Sequence, residues 1–153
     1  MRLETVTVIG GGAWGTALAQ AAAMAGRKVR LVVRHPAQAE AINTSRRNEA
    51  ALPGQALLAG VNASAEFAGS DIVILAVPAQ STRTLLSTID PALLAGRPVV
   101  LSAKGLETGT LARQSEILFD MAPEAVPYVL SGPSFAVDVA AGRPTAVTLA
   151  GDD

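Results

Sequence analysis

The chain of 153 residues carries 12 basic and 13 acidic side chains, a near-balance that argues against a nucleic-acid partner or an anionic membrane held by bulk charge. Half of the residues are hydrophobic and only 16% are charged, which excludes a disordered chain and fits one folded domain that hides about 70% of its accessible surface. With no cysteine and a single histidine, a disulfide framework and a thiolate metal site are excluded and no metal centre is expected.

Taken in chain order, strands and helices alternate. Residues 3–9 are rich in Val and Thr and run into Gly10-Gly11-Gly12, a strand entering a tight turn. Residues 15–25 are small helix formers, and Gly26 stands where a helix C-terminal glycine belongs. Residues 29–33 read as a second strand, and Pro36 suits the first turn of a second helix. The stretch 43–63 scatters Asn, Ser, Arg, Pro and Gly, and reads as a helix end followed by a long surface loop. Residues 72–78 form a continuous apolar run, the signature of a strand buried on both faces of a parallel sheet. A helix over 81–86, a strand over 98–102, an amphipathic helix over 111–121 and a strand over 128–130 follow. A turn at 131–136 then opens a helix through 139, and a strand over 145–149 closes the series. No fixed-period repeat and no linker tract is present.

Alternating units of this kind predict an α/β fold of the Rossmann type, a doubly wound, mostly parallel sheet with helices on both faces. Ligands in such sheets bind beyond the carboxyl ends of the strands, which directs attention to the turns after Ile9, Val33, Val77, Ser102 and Leu130. The run 72–78 is far too short for a membrane span, and Glu4 stands where a signal peptide carries apolar residues. The expectation is a soluble, cytoplasmic protein without membrane insertion.

The first turn, Gly10-Gly11-Gly12-Ala13-Trp14-Gly15, fits G-x-G-x-x-G between a strand and a helix. Gly10 allows the tight turn, Gly12 lets the backbone approach a pyrophosphate, and Gly15 lets the helix pack on the strand. The helix N-terminus offers unpaired N–H groups to phosphates. The alternative is that these glycines only shape a turn. At the end of the second strand, an NAD site places Asp or Glu about 20 residues beyond the glycines, to accept from the ribose 2′-hydroxyl. Here Arg34 and His35 stand instead, and arginine's planar fork suits a 2′-phosphate. NADP is therefore preferred as cofactor, with NAD also open. Lys104, next to Gly105 after a strand, reads either as a surface residue or as a cation for a substrate phosphate or carbonyl. The turn Ser131-Gly132-Pro133-Ser134-Phe135-Ala136 is either a simple helix start or a site for an anionic or hydroxylated ligand.

The sequence resembles the bacterial NAD(P)-dependent glycerol-3-phosphate dehydrogenases along essentially its whole length. The resemblance is carried by the 8–19 segment around the glycine turn, by Asn43, Arg46 and Asn48 with Leu52-Pro53-Gly54, by Ala103-Lys104-Gly105 with Glu107, and by the 131–136 turn followed by 140–146. The resemblance implies a Rossmann domain whose cofactor contacts fall on Ala13, Trp14, Arg34, His35, Lys104 and Ala136, beside the glycines. It implies substrate contacts on Lys104, Gly132 and Ser134. The implied reaction is reversible hydride transfer between NAD(P)H and dihydroxyacetone phosphate, giving sn-glycerol 3-phosphate for phospholipid synthesis. In that family the proton is handled by a lysine of a helical C-terminal domain. Residues 1–153 correspond to the dinucleotide-binding domain alone, so no catalytic residue is assigned here, and binding without turnover is expected. A homodimer is one assembly open to the full-length enzyme.

Asp138 stands where the family commonly has Glu, and Ala51 where it often has an aromatic, departures that bear on affinity. Two alternatives remain at this level: a β-hydroxyacid or 6-phosphogluconate type of dehydrogenase, and a nucleotide-binding module without chemistry.

Overall fold

The computed structural model describes residues 3–151; the signal-peptide argument leans partly on Met1 and Arg2, which lie outside the described residues. Seven strands form one sheet: β1 (Thr5–Ile9), β2 (Lys28–Val32), β3 (Val61–Ser64), β4 (Ile72–Leu75), β5 (Pro98–Leu101), β6 (Val126–Ser131) and β7 (Thr148–Gly151). Their order is β3-β2-β1-β4-β5-β6-β7, parallel throughout except that β7 runs antiparallel to β6. Between them lie α1 (Ala13–Met24), α2 (Pro36–Ser45), α3 (Thr82–Leu86), α4 (Gln114–Met121) and α5 (Ala136–Ala140). This is the doubly wound α/β architecture that the alternation predicts. Among the described residues no helix is long and apolar enough to cross a membrane.

The period of two along each strand sorts the core into two layers. Val6, Val8, Val29, Leu31, Val61 and Ala63 share one face with Ala19 of α1 and with Ala39 and Ile42 of α2. Ile9, Val73, Leu75, Val99 and Leu101 share the other with Leu86 of α3 and with Ile117 and Leu118 of α4. The α1 residues that pack on the sheet, Ala19, Ala22 and Ala23, are short, so the helix lies close and the turn before it is drawn tight against the strand ends. Its C-terminus closes on Gly26 at φ 77°, with the Ala25, Gly26 and Arg27 N–H groups returning to Ala21, Ala23 and Ala22 carbonyls.

The structure departs from the sequence expectation at strand ends, with β4 closing at Leu75 rather than 78 and β6 opening at Val126 rather than 128, and in four further places. Residues 43–63 hold a strand, β3, as well as a loop. Its four residues carry only one β-branched side chain, too weak a pattern to read. The Asn43 amide fixes it, accepting from Ala63 N (2.8 Å) and donating to Ala63 O (2.9 Å) as a neighbouring strand's backbone would. Helix α4 begins at Gln114 rather than at 111, because Glu116 reaches back to accept the Arg113 N–H at 2.7 Å, while Leu111 sits at φ 59° outside the helix. The last strand is shifted from 145–149 to Thr148–Gly151 and pairs Leu130 with Leu149. Helix α1 opens at Ala13, two residues early, with Gly12 as its cap.

Candidate functional site

Because β1, β4, β5 and β6 are parallel neighbours, their carboxyl ends lie side by side, and the turns that leave them share one edge of the sheet. The Gly10–Gly15 turn leaves β1. Gly10 has φ 121°, its N–H donates to Val32 O (2.9 Å), and a Cβ there would run into the Ala76 carbonyl. A Cβ on Gly15 would run into the Gly10 carbonyl. Both glycines are thus required by packing inside the chain.

Gly12 is different. Its φ of −76° is open to any residue, and a Cβ there would meet nothing within 4 Å. The fold does not ask for glycine at 12, but a group approaching the backbone from outside would. The first helical bond runs from Thr16 N to Gly12 O at 2.9 Å, and no side chain caps α1. The N–H groups of Gly12, Ala13, Trp14 and Gly15 therefore have no acceptor within the helix. A pyrophosphate fits this cradle, since it brings the missing acceptors and the space it needs is the space a Cβ at 12 would fill.

A groove of about 880 Å³ runs from this turn across the ends of β1, β2 and β4. It is lined by Gly10, Gly11 and Gly12, by Val77 and Pro78 after β4, and by Arg34 and His35 on its far rim. Arg34 and His35 are exposed, and among the described residues Arg34 makes no ion pair. A second cleft of about 240 Å³ lies at the amino ends of β1 and β2 beside Lys28 and Arg30. It has neither a glycine turn nor a helix N-terminus, and sits on the edge opposite to the one where such sheets bind ligands.

The turns after β5 and β6 meet each other. Lys104 Nζ donates to Gly132 O at 3.3 Å, which uses one of the three ammonium hydrogens and leaves the exposed head able to donate outward. Behind it, Gln114 donates to Gly105 O (3.2 Å), and Gln80 bridges Leu106 O and Thr108 N (both 2.8 Å). Arg83 forks onto Glu107 at 2.8 and 3.0 Å, and this contact, with the Thr110 hydroxyl, holds the Glu107 carboxyl below its ordinary pKa. Strand β5 lies two strands from β1, so this pair stands about 10 Å along the edge from the glycine turn.

Ser134 donates its hydroxyl to Ala146 O at 2.8 Å, tying the 131–136 turn to the segment before β7. Ala136 begins α5, which packs on α1 through Ala17, Ala140 and the loop residue Leu52. Trp14 is half-buried in the first turn of α1. The structure thus gathers Gly10, Gly12, Arg34 and His35 on one groove and Lys104 with Gly132 on the next turn, with α5 stacked against the helix of the glycine turn. Sequence reading gave no role to Gln80 or Gln114, because a glutamine that braces a loop backbone leaves no periodic signal.

A parallel sheet in this order, with a glycine turn feeding an uncapped helix at its carboxyl edge, defines a Rossmann-type dehydrogenase fold. Residues 5–153 match the family described as NAD-dependent glycerol-3-phosphate dehydrogenase N-terminus, and the chain belongs to that family. It is 52% identical to glycerol-3-phosphate dehydrogenase (NAD(P)+) of Azorhizobium caulinodans, with 98% of this chain and 47% of that protein covered. It is 49% identical to the enzyme of the same name from Rhodospirillum rubrum, with 97% and 44% covered. The crystal structure of glycerol-3-phosphate dehydrogenase from Coxiella burnetii superposes with a TM-score of 0.89 at 28% identity, over 98% of this chain and 47% of that one. The chain spans about half the length of the curated relatives it matches.

Proposed function

We propose that this chain is the NAD(P)H-binding half of an enzyme that reduces dihydroxyacetone phosphate to sn-glycerol 3-phosphate, reversibly, and that it prefers NADPH. The observation that carries the reading is Gly12, a glycine with no internal reason to be one, at the uncapped start of α1. The Gly12–Gly15 N–H groups would hold the pyrophosphate, and the Arg34 guanidinium would pair with a 2′-phosphate. The chemistry supplied by a bound cofactor would be hydride exchange at the substrate's second carbon. Lys104, already turned toward Gly132, holds the substrate phosphate or the oxygen that gains charge, and Gly132 and Ser134 form the rest of the substrate wall. The proton for that oxygen is assigned to the second half of the enzyme, as residues 1–153 form the nucleotide domain. The family match and the names of the relatives support this substrate over a hydroxyacid or a purely regulatory ligand.

Titration of the chain with NADPH and with NADH, followed by the fluorescence of Trp14, its only tryptophan, tests the reading. Saturable quenching, tighter for NADPH, is expected. Arg34→Ala is expected to weaken NADPH by roughly tenfold, the scale of a lost charge-assisted contact, and to leave NADH unchanged. Equal affinity of the unaltered chain for the two cofactors makes Arg34 a bystander. No quenching by either sinks the dinucleotide reading.

A further inference from the structure

We infer that Asn48 is a positioning residue of the phosphate turn: its side-chain amide clamps the Gly11 carbonyl to Thr16 and so fixes the direction of the Gly12 N–H. The inference rests on the dinucleotide reading above and deepens it. Asn48 is only 3% exposed, although it belongs to a connecting segment between α2 and β3. Its Nδ2 spends both hydrogens inside the protein, one on Gly11 O and one on Thr16 Oγ1, each at 2.9 Å. A buried polar side chain is kept by contacts of this kind, and here they end on the one stretch of backbone that is to grip a ligand.

Three consecutive glycines form the least constrained piece of chain in the molecule, and a peptide plane between two of them turns easily. In a trans peptide the C=O and N–H point in opposite directions, so holding the Gly11 carbonyl on Asn48 aims the Gly12 N–H away from Asn48. The next plane is held too, because Gly12 O accepts from Thr16 N at 2.9 Å, and Thr16 also carries the hydroxyl that Asn48 grips. Both peptide planes flanking Gly12 are therefore fixed from within the protein. The turn is ordered before a phosphate arrives, and binding does not have to supply the ordering cost.

Asn48 can do this because its own position is fixed. Its carbonyl accepts from Ala51 N (3.1 Å) and Leu52 N (2.8 Å), and Leu52 is buried between Ala17 of α1 and Ala140 of α5. Arg46 donates to the Leu58 and Val61 carbonyls, and Gln20 of α1 bridges Ala56 O (3.2 Å) and Leu58 N (3.0 Å). Gln20 thus anchors the same segment without touching the glycine turn, and this separates the two roles experimentally.

The test compares Asn48→Ala, Asn48→Asp and Gln20→Met in the 153-residue chain. Asn48→Asp keeps shape and the Thr16 contact but sets an oxygen against the Gly11 carbonyl. Each is titrated with NADPH and with adenosine 2′-monophosphate, which has the base and the 2′-phosphate but no pyrophosphate. Both Asn48 variants are expected to weaken NADPH by roughly tenfold, about 1.4 kcal/mol, and to leave the monophosphate within twofold. Gln20→Met is expected to leave both ligands within twofold. The positioning role is overturned if NADPH binds the Asn48 variants as it binds the unaltered chain, if the monophosphate weakens in step, or if Gln20→Met costs as much. It is also overturned if circular dichroism shows both Asn48 variants unfolded, since Asn48 then serves stability alone. If the unaltered chain itself fails to bind NADPH, the dinucleotide reading falls first and takes this inference with it.

Discussion

The two ends of the sheet are built differently. Around β1 and β4 the strands are covered on both faces, β2 buries Val29, Leu31 and Val32, and Val8, Leu31 and Val73 are fully buried. At the other end every residue of β7 is exposed, Val129 of β6 is 41% exposed, and Phe135 and Val137 at the start of α5 stand 74% and 59% exposed. The groove and the glycine turn thus belong to the region whose shape is fixed by its own core. The Lys104–Gly132 pair stands at the border of the region held by the β6–β7 ladder and a few side-chain contacts, from Lys104 to Gly132, from Ser134 to Ala146 and from Arg143 to Asp138. The glycine-turn side is shaped by packing, whereas the Lys104 side is held by surface hydrogen bonds.

The difference is broken most directly by making the same deletion in both regions. Leu75→Ala removes a β4 side chain that is 2% exposed in the layer under α3 and α4 and is expected to cost about 2–5 kcal/mol. Leu149→Ala, in β7 at 55% exposure, is expected to cost less than about 0.5 kcal/mol. Urea unfolding of both variants checks this. Similar losses would mean that β7 is part of the cooperative core and that the contrast drawn from exposure is wrong.

Within the glycine turn the comparison can be sharpened to two residues. Gly10→Ala forces a side chain onto the Ala76 carbonyl at φ 121° and is expected to destabilise by about 1–3 kcal/mol. Gly12→Ala meets nothing, so its thermal midpoint should stay with that of the unaltered chain, while NADPH affinity falls by roughly tenfold. A Gly12→Ala variant that binds normally would remove the observation on which the functional reading stands.

These contrasts also mark what was legible in the sequence. The strand in the 72–78 run announced itself, over Ile72–Leu75, because a parallel strand between two helical layers is apolar throughout. The glycine turn and the positions of Arg34 and Lys104 after strands could be read because they depend on residue type and on the strand pattern before them. Strand β3 could not, since its pairing with β2 and the Asn43 clamp on Ala63, across 20 positions, are tertiary contacts. The contacts of Asn48 and Gln114 were hidden for the same reason: an amide side chain looks alike whether it faces water or braces a turn. The 131–136 turn was legible as a motif but not as geometry, because the bond from Ser134 to Ala146 depends on where β7 lies.

The smallest expected effect is that of acid, and it too distinguishes two places. At the amino end of β1, Asp71 Oδ2 accepts from the Glu4 N–H (2.9 Å) and from the Thr5 N–H and hydroxyl (both 2.8 Å). These donors favour the charged form and hold Asp71 below its ordinary 3.8, with the Thr5 backbone contact first among them. Beside the Lys104 turn Arg83 holds Glu107 below its ordinary 4.5. Both folded pKa values are depressed, so each carboxylate contributes its full stability above the unfolded value. As the pH falls below that value the unfolded chain takes up the proton first, and the contribution shrinks until the pH has passed the folded pKa. The thermal midpoint should therefore be flat with respect to these groups from neutral pH to about pH 5 and decline below it. Asp71→Asn keeps the shape without the charge. It should melt below the unaltered chain at neutral pH, with the gap closing in acid. A gap that stays constant down to about pH 3 would show that the three donors serve the geometry of β1 rather than the charge of Asp71.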